Sequence, residues 1–363
     1  MQAIATPELR WTSLLAVGGL LLAPAALPAQ QVERYTVSGD EIAIYNLAGQ
    51  IRVEAGSGGA VGAELTRGGA DAGKLKVMQS EVDGREALRV VYPSDRIRYS
   101  ALSSGSSTQL RVHDNGTFGG DDDDDKDGGH RGKRVTISSG GDGIDAHADL
   151  RITVPAGKRV AIYLAVGKVA VSHVDGELSV DASAAPVTTS DTRGELNIDV
   201  GSGAVQVGNA RGDLSVDTGS GGVAVSDVRG KSITVNTGSG DVTASDIRSN
   251  ELSIETGSGD IQVTGLVAPQ LALETGSGSV AADVQGEVWN VNVQTGSGDV
   301  TLKLPPTLGA EVDIETSSGD IETDFSVSVT RHARDHLTGT IGDGRGKIAI
   351  ETGSGGIKLF KGQ

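Results

Sequence analysis

From about residue 160 onward, apolar side chains occupy every second position on either side of a recurring glycine turn, as in Leu214, Val216, Val223 and Val225, or Leu252, Ile254, Ile261 and Val263. That period of two belongs to a half-buried strand, not to a helix. The turns are copies of one motif: DTGSGGV (217–223), NTGSGDV (236–242), ETGSGDI (255–261), ETGSGSV (274–280), QTGSGDV (294–300), ETSSGDI (315–321) and ETGSGGI (351–357). With the glycine that ends the GSG (or SSG) core of each copy as marker, Gly203, Gly221, Gly240, Gly259, Gly278, Gly298 and Gly319 are separated by 18, 19, 19, 19, 20 and 21 residues. Gly355 follows 36 residues after Gly319, leaving an excursion over 331–346. Weaker copies at Gly167 and Ala185 extend the series backward in steps of 18. A second turn, such as SDVRGK (226–231) or SDIRSN (245–250), closes each unit.

Two short strands and two corners cannot bury their own apolar face, but stacked copies can. Coils about 4.8 Å apart form parallel sheets whose inward Val, Ile and Leu merge into one column. The pattern therefore predicts an all-β fold: a parallel β-solenoid (β-helix) of about ten coils, with 18–21 residues per coil over 161–363. At the corners, Gly203, Gly221, Gly240, Gly259, Gly278, Gly298, Gly319 and Gly355 are structural turn glycines, chosen because a sharp reversal needs positive φ or close backbone approach.

Residues 30–160 read as a loop-rich N-terminal β cap containing the first coils, with strands at 34–37, 41–45, 50–54, 88–92 and 150–154. An AGSGG copy at 55–59 suggests that coiling begins there. A cap is needed because an open terminal edge invites pairing with other chains. Within it, 115–134 is low in complexity, with five consecutive aspartates at 121–125, and is expected to be a disordered insertion; deleting 116–132 should be tolerated. Residues 1–29 carry Arg10, an apolar stretch over 14–27 and the segment Leu27, Pro28, Ala29, which together predict a secretory signal cleaved after Ala29. The stretch is too short for a spanning helix, and no later segment is apolar enough to be one. The mature chain is thus expected in the periplasm, outside the cell or at its surface.

Composition narrows the chemistry. The 363 residues hold no cysteine, which excludes disulfides, thiolate metal sites and cysteine nucleophiles. A formal charge of -17 argues against nucleic acid as a partner. The RGKS at 229–232 lacks the upstream glycine of a phosphate loop, with Val225 in its place, and no G-x-S-x-G elbow occurs. His113, His130, His147 and His173 follow no ligand pattern, and His332 with His336 would suit a metal only on a helix. Carboxylates do recur: Glu255, Glu274, Glu315 and Glu351 before the turn, and Asp241, Asp260, Asp299 and Asp320 after it. The four aspartates are the weak candidates for calcium, against which stand turn chemistry and solubility as simpler reasons for Asp at a corner. No catalytic or cofactor-binding residue is assigned, and no cofactor is expected.

The exported chain with serial TGSGD-V/I turns, ending in GTIGDGRGKIAIETGSGGIKL at 339–359, resembles the bacterial DUF4097 family of adhesin-like proteins over about 35–360. The resemblance implies a β-solenoid and an adhesin-like or envelope role, and brings no catalytic residues. The expected function is accordingly non-enzymatic: an adhesin-like or scaffold protein whose repetitive surface binds an envelope component, a polysaccharide or a protein. The alternatives are a polysaccharide lyase or hydrolase on a parallel β-helix, or a structural or regulatory periplasmic module. Against the enzyme stand the scarcity of aromatic platforms, Trp289 apart, and carboxylates that form a regular ladder instead of one special pair.

Overall fold

The computed structural model describes residues 31–119 and 132–362. Residues 1–29, over which the secretory signal is expected, the aspartate run 121–125 and His130 lie outside the described residues. Apart from one short 3-10 turn at Ala72–Lys74, the regular structure is β-strand, and most of the strands belong to a single 27-stranded sheet system with parallel stacking at its heart.

Each coil contributes a longer strand, a glycine corner, a shorter strand and a second corner. Leu214–Ser220 and Val223–Ser226 make one such rung, stacked in register on the next, Ser232–Thr237 and Val242–Ser245. The alternation seen in the sequence becomes columns running through the stack. Leu178, Leu196, Leu214, Ile233, Leu252, Leu271 and Val291 are paired in turn, and so are Val187, Val205, Val223, Val242, Ile261, Val280 and Val300. All of these side chains are buried. No single rung has a core of its own; burial is created by the neighbours above and below.

The TGSG corner is explained by three separate contacts. The threonine is buried and its hydroxyl donates to a glycine carbonyl of the preceding rung, as from Thr256 to Gly240 (3.2 Å), Thr275 to Gly259 (3.0 Å) and Thr295 to Gly278 (2.9 Å). The second glycine adopts positive φ, 141° at Gly240 and at Gly259. The first glycine does not, and its requirement is steric: a Cβ on Gly257 would lie 2.5 Å from the carbonyl oxygen of Gly238. Of the eight marker glycines all have positive φ except Gly319, where a Cβ would meet the Gly355 oxygen at 1.9 Å.

The solenoid starts earlier than its sequence motif. Glu41–Ala55 is a complete first rung whose corner is Gly49 (φ 137°), and Lys158–Ser172 stacks on it with Gly167 opposite Gly49. Gly203 in turn packs against the Ala185 carbonyl, so both weak copies are corners of the same ladder. The AGSGG at 55–59 is not a corner; it follows the first rung as a loop before Val61–Gly68. Between the first two rungs the chain builds the cap. Arg85–Val91 and His147–Val154 extend the first rung outward in parallel, and Lys76–Val82, Val61–Gly68 and Val32–Val37 then finish the edge with antiparallel strands. A separate four-stranded sheet comprises Arg96–Arg98, Ser107–Val112, Lys133–Ser138 and Ile144–Asp145.

Both flanks of the low-complexity stretch are ordered. Lys133–Ser138 pairs with Ser107–Val112, so 132–134 is not part of a disordered insertion. Asn115 accepts, through its backbone oxygen, a bond from the buried Arg89 guanidinium at 3.0 Å. Phe118 is 2% exposed and sets its edge against Tyr45, 5.9 Å between ring centres, while Tyr45 stacks on Tyr163 at 4.3 Å. A deletion beginning at Gly116 would remove this plug, which narrows the dispensable stretch from the 116–132 expected above. Phe118→Ala is expected to cost about 3 kcal/mol, read as a lower urea midpoint; an unchanged midpoint would show that the plug is idle.

At the other end the rungs do not follow chain order. Gly346–Thr352 and Ile357–Lys361 stack directly on Asn290–Thr295 and Val300–Leu304, and Ala310–Thr316 with Ile321–Thr323 lie outside them. The corner series therefore runs Gly298, Gly355, Gly319. The excursion between them forms the hairpin Val327–His332 and His336–Ile341, which closes the end by pairing antiparallel with Ala310–Thr316. Both strand stacks at the near end, and the stack of longer strands at the far end, thus finish in antiparallel strands, which limits further parallel growth there.

Candidate functional site

With the core turned inward, what the solenoid offers to solvent is rows of like side chains at rung spacing. On the longer strands one outward row reads Asp181, Asp199, Asp217, Asn236, Glu255, Glu274, Gln294, Glu351 and Glu315, each in register with the next. It gathers the recurrent glutamates of the sequence into one file broken by two amides.

The aspartates that follow the turn are occupied differently. Asp241 Oδ1 accepts the amide of Asp260 (3.0 Å), Asp260 Oδ1 that of Ser279 (2.8 Å) and Asp299 Oδ1 that of Gly356 (2.8 Å). Asp320 instead pairs with Arg334 at 3.0 Å. Three of the four calcium candidates therefore act as braces from rung to rung, and the described residues include no group of three or more acidic or histidine side chains placed to hold a metal. His332 and His336 stand on the closing hairpin, not on a helix, and His336 contacts Asp313 at 3.0 Å. His147 lies against Tyr99, and His173 faces Asp191 at 3.6 Å.

The second corner holds a feature that the turn motif only hinted at. Its first residue is in the left-handed region in six successive coils: His173 (58°), Asp191 (55°), Asn209 (49°), Asp227 (50°), Asp246 (55°) and Gly265 (64°). Asp, Asn and Gly tolerate that conformation best, which accounts for the acids there. Two residues later, Asp175, Arg193, Arg211, Arg229, Arg248 and Val267 are joined by single parallel bridges. Four arginines are thereby aligned along one edge. Arg211 and Arg229 share Asp227, at 3.1 and 3.0 Å. Arg193 and Arg248 are exposed and have no side-chain hydrogen bond or ion pair among the described residues. The signal for this row is present in the sequence as an arginine spaced 18 or 19 residues from the next, but within any one unit it reads only as part of a closing turn.

Asp213, at the same edge, accepts the amides of Lys231 (2.8 Å) and Ser232 (3.2 Å), and these bonds hold its carboxyl below the usual carboxylate range. A depressed folded value means stability present above the unfolded value of about 3.9 and lost as pH falls through the lower folded one. Asp213→Asn is therefore expected to flatten part of the acid-side decline, by less than about 1 kcal/mol because the group is exposed. Matching stability-pH curves for the two proteins below pH about 5 would refute the role of these bonds.

The grooves among the described residues are open to solvent, and two of them lie beside these corners and Trp289. One of about 500 Å³ runs beside His173, Asp175, Asp191, Arg193, Asn209 and Arg211; another, of about 250 Å³, adjoins Trp289, Leu308, Asp343 and Arg345. Trp289 is 61% exposed, the most exposed of the large apolar side chains described. Among the described residues no helix is long and apolar enough to cross a membrane.

Three solved structures match over most of the chain: a candidate cell-adhesion protein from Clostridium sporogenes (11% identity, 92% of this chain and 100% of that one, TM-score 0.23), and candidate adhesins from Bacteroides fragilis (13%, 92% and 98%, 0.32) and Parabacteroides distasonis (11%, 92% and 97%, 0.33). No curated protein matches the chain. The family model for Toastrack DUF4097 matches residues 147–359, which takes in every rung but the first together with the closing hairpin, and the chain belongs to that family.

Proposed function

We propose that this protein is a non-enzymatic binding or scaffold component of the cell envelope, exported by its N-terminal segment, and that its ligand is recognised along the solenoid, not in a pocket. The observation that supports this most directly is the register of the outward rows. The carboxylate file and the arginine edge each repeat one chemistry over several rungs, so the surface is matched to something extended and repetitive, as in other solenoid proteins whose binding surfaces run along the stack. Compact sites for small molecules are instead concave and enclosed, and the grooves here are open.

A saturable partner should be recovered when the purified chain is offered to cell walls, envelope polysaccharides and envelope-protein extract, with and without calcium. If no fraction saturates in either condition, the binding reading fails. Turnover of an acidic glycan, abolished by replacing one carboxylate or arginine, would transfer the protein to the polysaccharide-cleaving class.

A further inference from the structure

We propose that the second-corner edge is a docking strip for a linear acidic polysaccharide carrying one carboxylate per sugar, a polyuronate. This rests on the binding reading above and names its ligand class. The first support is that the fold does not require arginine in this row. The same bridge position is Asp175 one rung before and Val267 one rung after, so the corner forms without a guanidinium. The neighbouring acids, by contrast, are explained by the left-handed backbone they occupy. Four arginines in register nonetheless recur on a chain of charge -17, although like charges on adjacent strands repel. Asp227 offsets that cost for Arg211 and Arg229, and an anionic ligand would offset it for Arg193 and Arg248.

The second support is spacing. Successive rungs put the arginines about 4.8 Å apart, a repeat of the same order as one unit of an extended pyranose chain. Single-stranded nucleic acid would call for stacked aromatic platforms along the strip, and the edge offers one ring. That ring is the third support. Backbone bonds join Asn250 to Lys231, Gln270 to Asn250 and Trp289 to Pro269, so the exposed Trp289 continues the same edge, two rungs beyond Arg248. A sugar face on the indole and carboxylates on the guanidiniums would together hold an acidic glycan. Arg211 and Arg229 are steadied by Asp227, whereas Arg193 and Arg248 are free to contact ligand.

The test uses the full chain with polygalacturonate, its fully methyl-esterified form, dextran and single-stranded DNA. Saturable binding to polygalacturonate alone is expected, weakening as salt rises. The double variant Arg193→Ala/Arg248→Ala and, separately, Trp289→Ala should each lower affinity at least tenfold with unchanged melting, since none of the three side chains is buried. Arg331→Ala, exposed on the closing hairpin, should bind as the parent does. Unchanged affinity in either test variant, or equal binding of the esterified polymer or of DNA, overturns the proposal. If polygalacturonate does not bind while the envelope screen still yields a saturable partner, this inference falls and the broader reading stands; if neither binds, both fall.

Discussion

Gly259→Val should cost about 4 kcal/mol, combining the strain of a branched residue at positive φ with a backbone collision. Gly259 sits at φ 141°, and a Cβ there would lie 2.2 Å from the Gly240 oxygen and 2.5 Å from its carbonyl carbon. Neither neighbour is a flexible side-chain tip, so relief requires the two rungs to part. Parting them also breaks the bond from the Thr256 hydroxyl to the Gly240 carbonyl. Gly257→Val should be nearly as harmful for a different reason, its clash with the Gly238 oxygen and not its own φ. Gly59→Ala supplies the contrast: no heavy atom lies within 4 Å of its would-be Cβ and its φ is not in the left-handed region, so little change or a slight gain is expected. Urea unfolding of the three variants orders them; a Gly259→Val midpoint equal to that of Gly59→Ala would remove corner stacking from the account of the fold.

Val242→Asp should be at least as severe, at about 4 kcal/mol or more, because an unpaired carboxylate would enter a column in which Val223 lies on one side and Ile261 on the other, all three buried. Ile261→Asp should behave alike. Val242→Ala, which only shortens the side chain, should cost about 2 kcal/mol. In a stack where each rung touches only its neighbours, the damage is also local. Hydrogen exchange should therefore accelerate first in the strands around Val242–Ser245, while the first rung, Glu41–Ala55, keeps its protection. Uniform loss of protection along the chain, or a melting temperature equal to the parent's, would contradict a column built rung by rung.

What was legible in the sequence was what recurs. Paired apolar residues such as Leu252 and Ile254 gave strand period and inward face, and the glycine markers gave coil length, because every rung solves the same packing problem with the same residues. Departures from recurrence were harder to read. The first corner, at Gly49, lies in NLAGQIRV and lacks the TGSG signature, so AGSGG six residues on looked like the better candidate. Phe118 lies beside a charged low-complexity run, and nothing local shows that its ring reaches Tyr45. The arginine edge depends on six coils sharing one left-handed turn, a regularity of backbone angle more than of residue type. Rung order at the far end was the least accessible. ETSSGDI and ETGSGGI carry the same alternation, so either segment fits either place, and only the hairpin over 327–341 shows which lies outermost.

That interchange has a consequence for biogenesis. Residues 310–323 leave the ribosome before 346–361 exist, so the emerging chain cannot finish its stack vectorially. The earlier segment must either wait undocked or settle on 290–304 and then yield its berth to the tail. Once seated, these later strands are bolted on both flanks by older ones, so they cannot leave the stack without breaking two ladders at once.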